Sequence, residues 1–362
     1  MHAFPSRWIV LSITSVLLVA GAVIWAIEAD RVPEWNVEEA SPEEALLFAF
    51  DASRSLRASK FGRLQVILDK YPEFLDVVQE KTGDTLVYRA AEMNSAEMLL
   101  YLGKRGAKLD VKTGEGVAAL HKAASKNYVA AAKALIDLGA DINLLTDERT
   151  ETERRSPLDI AAKNGAEGVV ELLLQAGAKL DAHPPESSYP AIHFAMRTGW
   201  ESRVDDVKFM SKEHRLRPDM IPDPGPIPAT GNSAVIGLLV DAGANLKGRN
   251  FEGDQPLHVA IKRDQLETMK VLLTKYRDKI EVDGRGWGTG DEPGLTPLMT
   301  AGIGVKPREV AIHLAMIKLL KEYGADLTVK YVEDEFMGRR AYEMAIYSQS
   351  DPSIVAALAP PP

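Results

Sequence analysis

The chain has 362 residues, 46% of them hydrophobic and 26% charged, and a formal net charge of −9. That length suits two ordinary domains or one long repeat array, and the acidic balance argues against generic nucleic-acid binding, which needs a basic surface. The chain contains no cysteine, which removes disulfides, thiolate zinc sites, iron–sulfur clusters and cysteine nucleophiles together and suits an oxidising compartment.

Residues 1–7 are a short tail containing Arg7, expected in the cytoplasm, and residues 8–27, from Trp8 to Ile27, carry no charge. As a helix this run is about 30 Å long, enough to cross a hydrocarbon core as a signal anchor. Trp8 and Trp25 lie near its ends, where amphipathic rings favour the membrane interface. Arg7 and the amino group precede the run, while Glu28 and Asp30 follow it with Arg31; this bias directs the rest of the chain outward. Ala20-Gly21-Ala22 is a small-residue cleavage site, so a signal peptide cut near Ala22 is the alternative. Both readings export the remainder. No cysteine follows to carry a lipid, and no asparagine stands in an N-x-S/T context, so the bacterial periplasm is the expected destination.

Residues 28–41 read as an acidic stalk, with Glu28, Asp30, Glu34, Glu38 and Glu39 against Arg31 alone. From Pro42 the stretch PEEALLFAFDASRSL turns helical in period.

Beyond it the chain repeats itself. SPLDIAAKNGAEGVVELLLQAGAKLDA (156–182), AALHKAASKNYVAAAKALIDLGADIN (118–143) and TLVYRAAEMNSAEMLLYLGKRGAKLD (85–110) are successive copies, with others starting at QPLHVAIKRDQLETMKVLL (255–273) and TPLMTAG (296–302). The first apolar position recurs at Val87, Leu120, Leu158, Ile192, Leu257 and Leu298. Within a copy, Leu158, Ala161 and Ala162 give a first helix with a small-residue face, and Val169, Val170, Leu172 and Leu173 give a second with a bulky one. Gly139, Gly177, Gly243 and Gly324 stand where the second helix should stop. Neither helix buries its face alone, so neighbours must stack.

These copies resemble the ankyrin repeat, whose T-P-L-H-x-A-A and L-L-x-x-G-A-D half-motifs recur here at a period of about 33 residues. The resemblance implies an all-α solenoid of about eight helix-turn-helix repeats over residues 42–359, preceded by the transmembrane helix or signal peptide and ending in a disordered tail at 360–362. Segments 57–76 and 338–359 read as degenerate terminal repeats. The resemblance also gives His121, His193 and His258 a structural role, hydrogen bonding to loop backbone. His183, His214 and His313 fall in loops or insertions at no metal-ligand spacing.

No catalytic motif stands out: there is no H-E-x-x-H, G-x-S-x-G or G-x-x-x-x-G-K-S/T. The glycine-rich GRGWGTGDEPG (284–294) leads into the start of a repeat at Leu295-Thr296-Pro297 and reads as a long finger between repeats. The expectation is therefore no enzyme, no cofactor, no metal and no small-molecule substrate. Departures from the repeat are more informative. Residues 200–230 are inserted between the two helices of the fifth repeat, and Gly304 to Val310 lengthen the same turn in the seventh. The fingers at 146–156 and 276–297 are also long.

The resemblance places first helices and finger tips on the ligand-facing side. The exposed first-helix positions are Arg89, Lys122, Lys126, Lys163, Arg197, Lys262 and Arg263, with Glu92 the lone acid among them. A basic stripe on an acidic protein is a docking surface for an acidic protein partner; the competing reading is cations that complement helix dipoles or are simply solvated. Trp287, on a glycine-rich finger, is the expected aromatic anchor. The expected function is a protein-binding array facing the periplasm, held in the inner membrane through residues 8–27: an immunity or inhibitor protein that neutralises a toxic secreted effector such as a lipase. An envelope scaffold serving an oxidative-stress process is the alternative, and an enzyme built on the 200–230 insertion a minor one.

Overall fold

The structure, a computed structural model, describes residue 41 and residues 58–147, 154–182, 190–196, 232–250, 253–286, 294–331 and 338–360. The apolar run at 8–27, the stalk at 28–40, the insertion at 200–230, Arg197 and Trp287 lie outside the described residues. Among the described residues no helix is long and apolar enough to cross a membrane.

The chain forms two units, residues 1–78 and 79–362. In the first, helix α1 (Ala58–Lys70) is followed by a 3-10 turn at Pro72–Asp76. Leu64, Ile67 and Leu68 are buried, and Phe74 stacks on Tyr71 with ring centroids 5.1 Å apart. The stretch of helical period at 42–56 lies outside the described residues.

The second unit holds seven helix pairs among the described residues. They are α2 (Leu86–Glu92) with α3 (Ala96–Lys104), α4 (Ala119–Ser125) with α5 (Val129–Asp137), and α6 (Pro157–Asn164) with α7 (Glu167–Gln175). Then come α8 (Ala191–Met196) with α9 (Ser233–Asp241), α10 (Pro256–Lys262) with α11 (Leu266–Lys275), α12 (Pro297–Gly302) with α13 (Val310–Glu322), and α14 (Ala341–Tyr347) with α15 (Pro352–Leu358). First helices pack on neighbouring first helices and second on second, α2 to α14 and α3 to α15. This is the all-helical solenoid implied by the repeat. No strand forms among the described residues; an antiparallel bridge from Lys330 to Arg340 closes one finger.

The core follows the alternation read from the sequence. Ala90, Ala91, Ala123, Ala124, Ala161 and Ala162 are fully buried, so first helices approach on small side chains. Leu99, Leu102, Leu135, Val170, Leu173, Leu239 and Leu272 fill the layer beneath, each contributing about 2 kcal/mol of burial.

Register between pairs is fixed by the turn residue. Asn94 and Asn127 sit at positive φ between their helices. The Asn94 side-chain oxygen accepts the N–H of Ala131 at 3.1 Å, and that of Asn127 accepts the N–H of Val169 at 3.1 Å. Both amides are the third of their helix, where no carbonyl four residues back lies inside it; that of Val169 also donates to the Ala166 carbonyl at 3.0 Å. Gly165, at φ 67, fills the same place in the next turn. A Cβ there would stand 2.5 Å from Oδ1 of Asn232. Asn232 uses that space to donate from Nδ2 to the Ala162 carbonyl at 2.9 Å, which pins the chain where the 200–230 insertion returns.

Candidate partner-binding face

Three of the first helices start with a side-chain cap. Thr85, Ser156 and Thr296 accept the backbone N–H of Tyr88, Asp159 and Met299, and Pro157, Pro256 and Pro297 occupy the first turn where an N–H is not needed. The residue three past the cap then turns inward. Where it is histidine it ties the helix to a finger: Nε2 of His121 donates to the Leu144 carbonyl at 2.8 Å, His193 to Asp254 at 3.1 Å and His258 to Leu295 at 2.9 Å. Nδ1 of His121 also accepts the Ala118 N–H at 3.1 Å, so the neutral tautomer is fully used and a second proton has no place. Burial pushes His121 and His193 down to about 4 and lowers His258. Asp159 takes the histidine's place in α6. Its carboxylate accepts Ser156 N–H at 2.7 Å and the Ser156 hydroxyl, and burial raises it to about 7 against those bonds.

His313 departs from the loop position expected of it. It lies in α13, buried, with Nδ1 on the Ala301 carbonyl at 2.7 Å and Nε2 on Asp264 Oδ1 at 3.0 Å. Both partners only accept, so the ring donates from both nitrogens as an imidazolium. Burial opposes that charge, but Asp264, the Ala301 carbonyl and Glu309 outweigh it and raise the pKa. The loop reading failed because α13 starts a turn earlier than the other second helices, at Val310.

The outer residues of the first helices form a mixed-charge face. Arg89 contacts Asp84 at 2.5 Å and Glu92 at 2.6 Å, and Lys122 from the next helix reaches Glu92 at 2.9 Å. Glu92 thus joins two repeats. Its partial burial favours protonation, but Lys122 and Arg89 overcome it and lower its pKa. Lys262 contacts the buried Asp254 at 2.6 Å. Lys126 is exposed at the end of α4, Arg263 is half-buried at the end of α10, and Lys163 is half-buried on α6. Arg89 and Lys122 come together through Glu92; Arg197 and Trp287 lie outside the described residues. Sequence reasoning missed the acids at Asp84 and Asp254. Their signal was positional, since each directly precedes the cap of a first helix that carries a basic residue. Among the described residues no group of His, Asp and Glu could hold a metal ion.

A family model described as ankyrin repeats matches residues 56–146, 115–183 and 229–331. Among curated proteins, the human ankyrin repeat and SOCS box protein 16 is 29% identical over 202 residues, covering 53% of this chain and 42% of that protein. The human SH3 and multiple ankyrin repeat domains protein 2 is 28% identical over 214 residues, 56% of this chain and 10% of that one. The chain therefore spans less than half the length of either relative. Among solved structures, the human ASB11 ankyrin repeat domain aligns over 77% of this chain and 100% of its own with a TM-score of 0.53 and 23% identity. The Bcl-3 ankyrin repeat domain aligns over 77% and 99% with a TM-score of 0.52 and 16% identity; these likenesses concern the fold.

Proposed function

The chain belongs to the ankyrin-repeat family, and on that premise we propose that it is a non-enzymatic binding protein: an immunity or inhibitor protein that neutralises a toxic secreted effector in a bacterial periplasm. Repeat domains of this family generally serve as protein-interaction modules. The observation that carries the binding reading is the fixed register of the array. Glu92 with Lys122, Asn94 with Ala131 and Asn127 with Val169 join the first three helix pairs of the second unit, so the described first-helix face there is set before any partner arrives and little is lost on binding. The location rests on the uncharged run at 8–27 and the acidic stalk, which tether an exported array to the inner membrane. A lipase acting on that membrane is the effector class that such a tether meets. The partner presents an acidic surface to Arg89, Lys122, Lys126, Lys163, Arg197, Lys262 and Arg263, with Trp287 as anchor.

The test is survival. A lipase toxin directed to the periplasm is expressed with and without the full-length chain, and growth and membrane leakage are followed. Protection is expected, and it should vanish when residues 1–27 are removed so that the array stays in the cytoplasm. Equal killing in the presence of the exported, folded chain would sink the reading.

A further inference from the structure

Four fingers of the second unit carry a lysine or arginine in one recurring place, where the fingers after α5 and α7 have Leu145 and His183. Lys112, Arg249 and Lys330 stand equally far beyond Gly106, Gly243 and Gly324. Arg285 holds that place in the finger after α11, where the second helix ends without glycine. The backbone fixes the equivalence: Asp110 Oδ1 accepts the N–H of Asp141 at 3.1 Å, and Asp283 accepts that of Asp326 at 2.9 Å, and Lys112 and Arg285 follow these two aspartates at the same distance.

The four side chains meet different fates. Lys112 is neutralised by Asp147 at 2.7 Å. The other three interlock without acids: Nε of Arg249 donates to the Arg285 carbonyl at 3.1 Å, and Nη2 of Arg285 donates to the Lys330 carbonyl at 2.9 Å. A carbonyl takes a hydrogen bond but cancels no charge. Among the described residues, Glu281 pairs with Lys247 at 3.2 Å, Asp254 with Lys262, and Glu343 accepts the Arg340 backbone N–H at 2.6 Å. Arg340, bridged to Lys330 across the last finger, adds a fourth cation. Arg249 and Lys330 are exposed, and Arg285 and Arg340 half-buried. Like charges held side by side repel, and guanidinium forks suit carboxylates in two-pronged contact.

We propose that Arg249, Arg285, Lys330 and Arg340 form a docking column for an extended acidic segment of a partner protein, with one carboxylate for each finger. This deepens the binding function proposed above and rests on it. Packed helices lie about 10 Å apart, so successive fingers share roughly that spacing. An extended strand rises about 3.3 Å per residue, which brings every third side chain into step. The net charge of −9 repels a long polyanion, whereas a short acidic segment meets only the column.

The probe is a fluorescent peptide of repeating Glu-Thr-Thr, with a Gln-Thr-Thr peptide as its neutral counterpart, titrated against the full-length chain by anisotropy. The acidic peptide alone should bind, and more weakly as salt rises. The variant R249Q/R285Q/K330Q/R340Q keeps amide donors at these positions and should bind at least about tenfold more weakly, while K112Q, whose lysine is already paired with Asp147, binds like the wild type. Circular dichroism melts check that both variants fold. Equal binding of the neutral peptide, unchanged binding by the quadruple variant, or no binding at all would overturn the column. So would binding that appears only after E333Q/D334N/E335Q, which would make the chain's own finger the occupant. The effector-survival assay is run on the same variants. Protection that persists while the column fails leaves the inhibitor reading standing; lost protection by a wild-type chain that binds the peptide does the reverse.

Discussion

Gly83 and Gly106 both sit at positive φ, 73° and 87°, yet they need glycine for different reasons. A Cβ on Gly106 meets nothing within 4 Å, whereas one on Gly83 would lie 2.2 Å from the backbone nitrogen of Gly114. That nitrogen donates to the Thr82 carbonyl at 2.9 Å, joining two fingers. Gly106→Ala should therefore cost only the left-handed penalty, about 1–2 kcal/mol. Gly83→Ala must also push the two finger backbones away from each other and should cost roughly 3 kcal/mol or more. Urea unfolding midpoints of the two variants decide it, and equal losses would remove the contact from the account. The buried histidines make a second residue-scale prediction. His121 and His193 titrate near 6.5 when unfolded and near 4 when folded. The unfolded chain then binds more protons below 6.5, so stability present above that pH is lost as pH falls toward 4, by about 3 kcal/mol per histidine. Thermal melts across this window should show the decline, and His121→Gln should flatten it.

At the scale of the element, the α12–α13 pair uses the inter-repeat bond in altered form. Its preceding turn residue is Asp264, at φ 56, where Asn94 and Asn127 stand in earlier turns. Those asparagines meet the third amide of a second helix, but α13 begins at Val310 and the matching amide, of Met316, is inside the helix and bonded there. His313, one turn earlier, supplies the missing donor from its side chain. The groups facing it are Asp264, the Ala301 carbonyl and Glu309. Its folded pKa is raised, so its stabilisation is complete below about 6.5 and is lost as pH rises through the folded value, opposite in sign to His121. Asp264→Asn keeps an acceptor and removes the charge. It should lower the His313 pKa, read by NMR titration, and speed amide exchange in α12 and α13 at neutral pH. An unchanged titration would dismiss the pair. This joint also marks what the sequence makes legible. Val87, Leu120, Leu158, Ile192, Leu257 and Leu298 are all buried as their spacing required, because packing reads only apolar shape and period. The start of α13 carried no such mark, since no side chain caps it. The charge face was legible in sign and not in pairing: Glu92 meets Lys122 only because two helices lie side by side.

Over the whole repeat unit, helices pack chiefly on their own partners and on the pairs to either side, so stability is close to a sum of local interfaces. An insertion matters to such an array only if it breaks an interface. Residues 200–230 enter between α8 and α9, which still pack on each other and on their neighbours. The chain is held on both sides of them. Gln265 donates from Nε2 to the Met196 carbonyl at 2.6 Å before the insertion, and Asn232 holds the Ala162 carbonyl after it. Deleting 200–230 and joining Gly199 to Gly231 should therefore leave one cooperative array. Because loop closure grows only with the logarithm of length, the gain in stability should be about 2 kcal/mol or less. Urea unfolding followed by circular dichroism measures this. A split transition or a loss of helix would mean that the inserted residues complete the α8–α9 interface. The same deletion in the survival assay separates architecture from recognition, because a folded array that no longer protects has lost a contact to its partner.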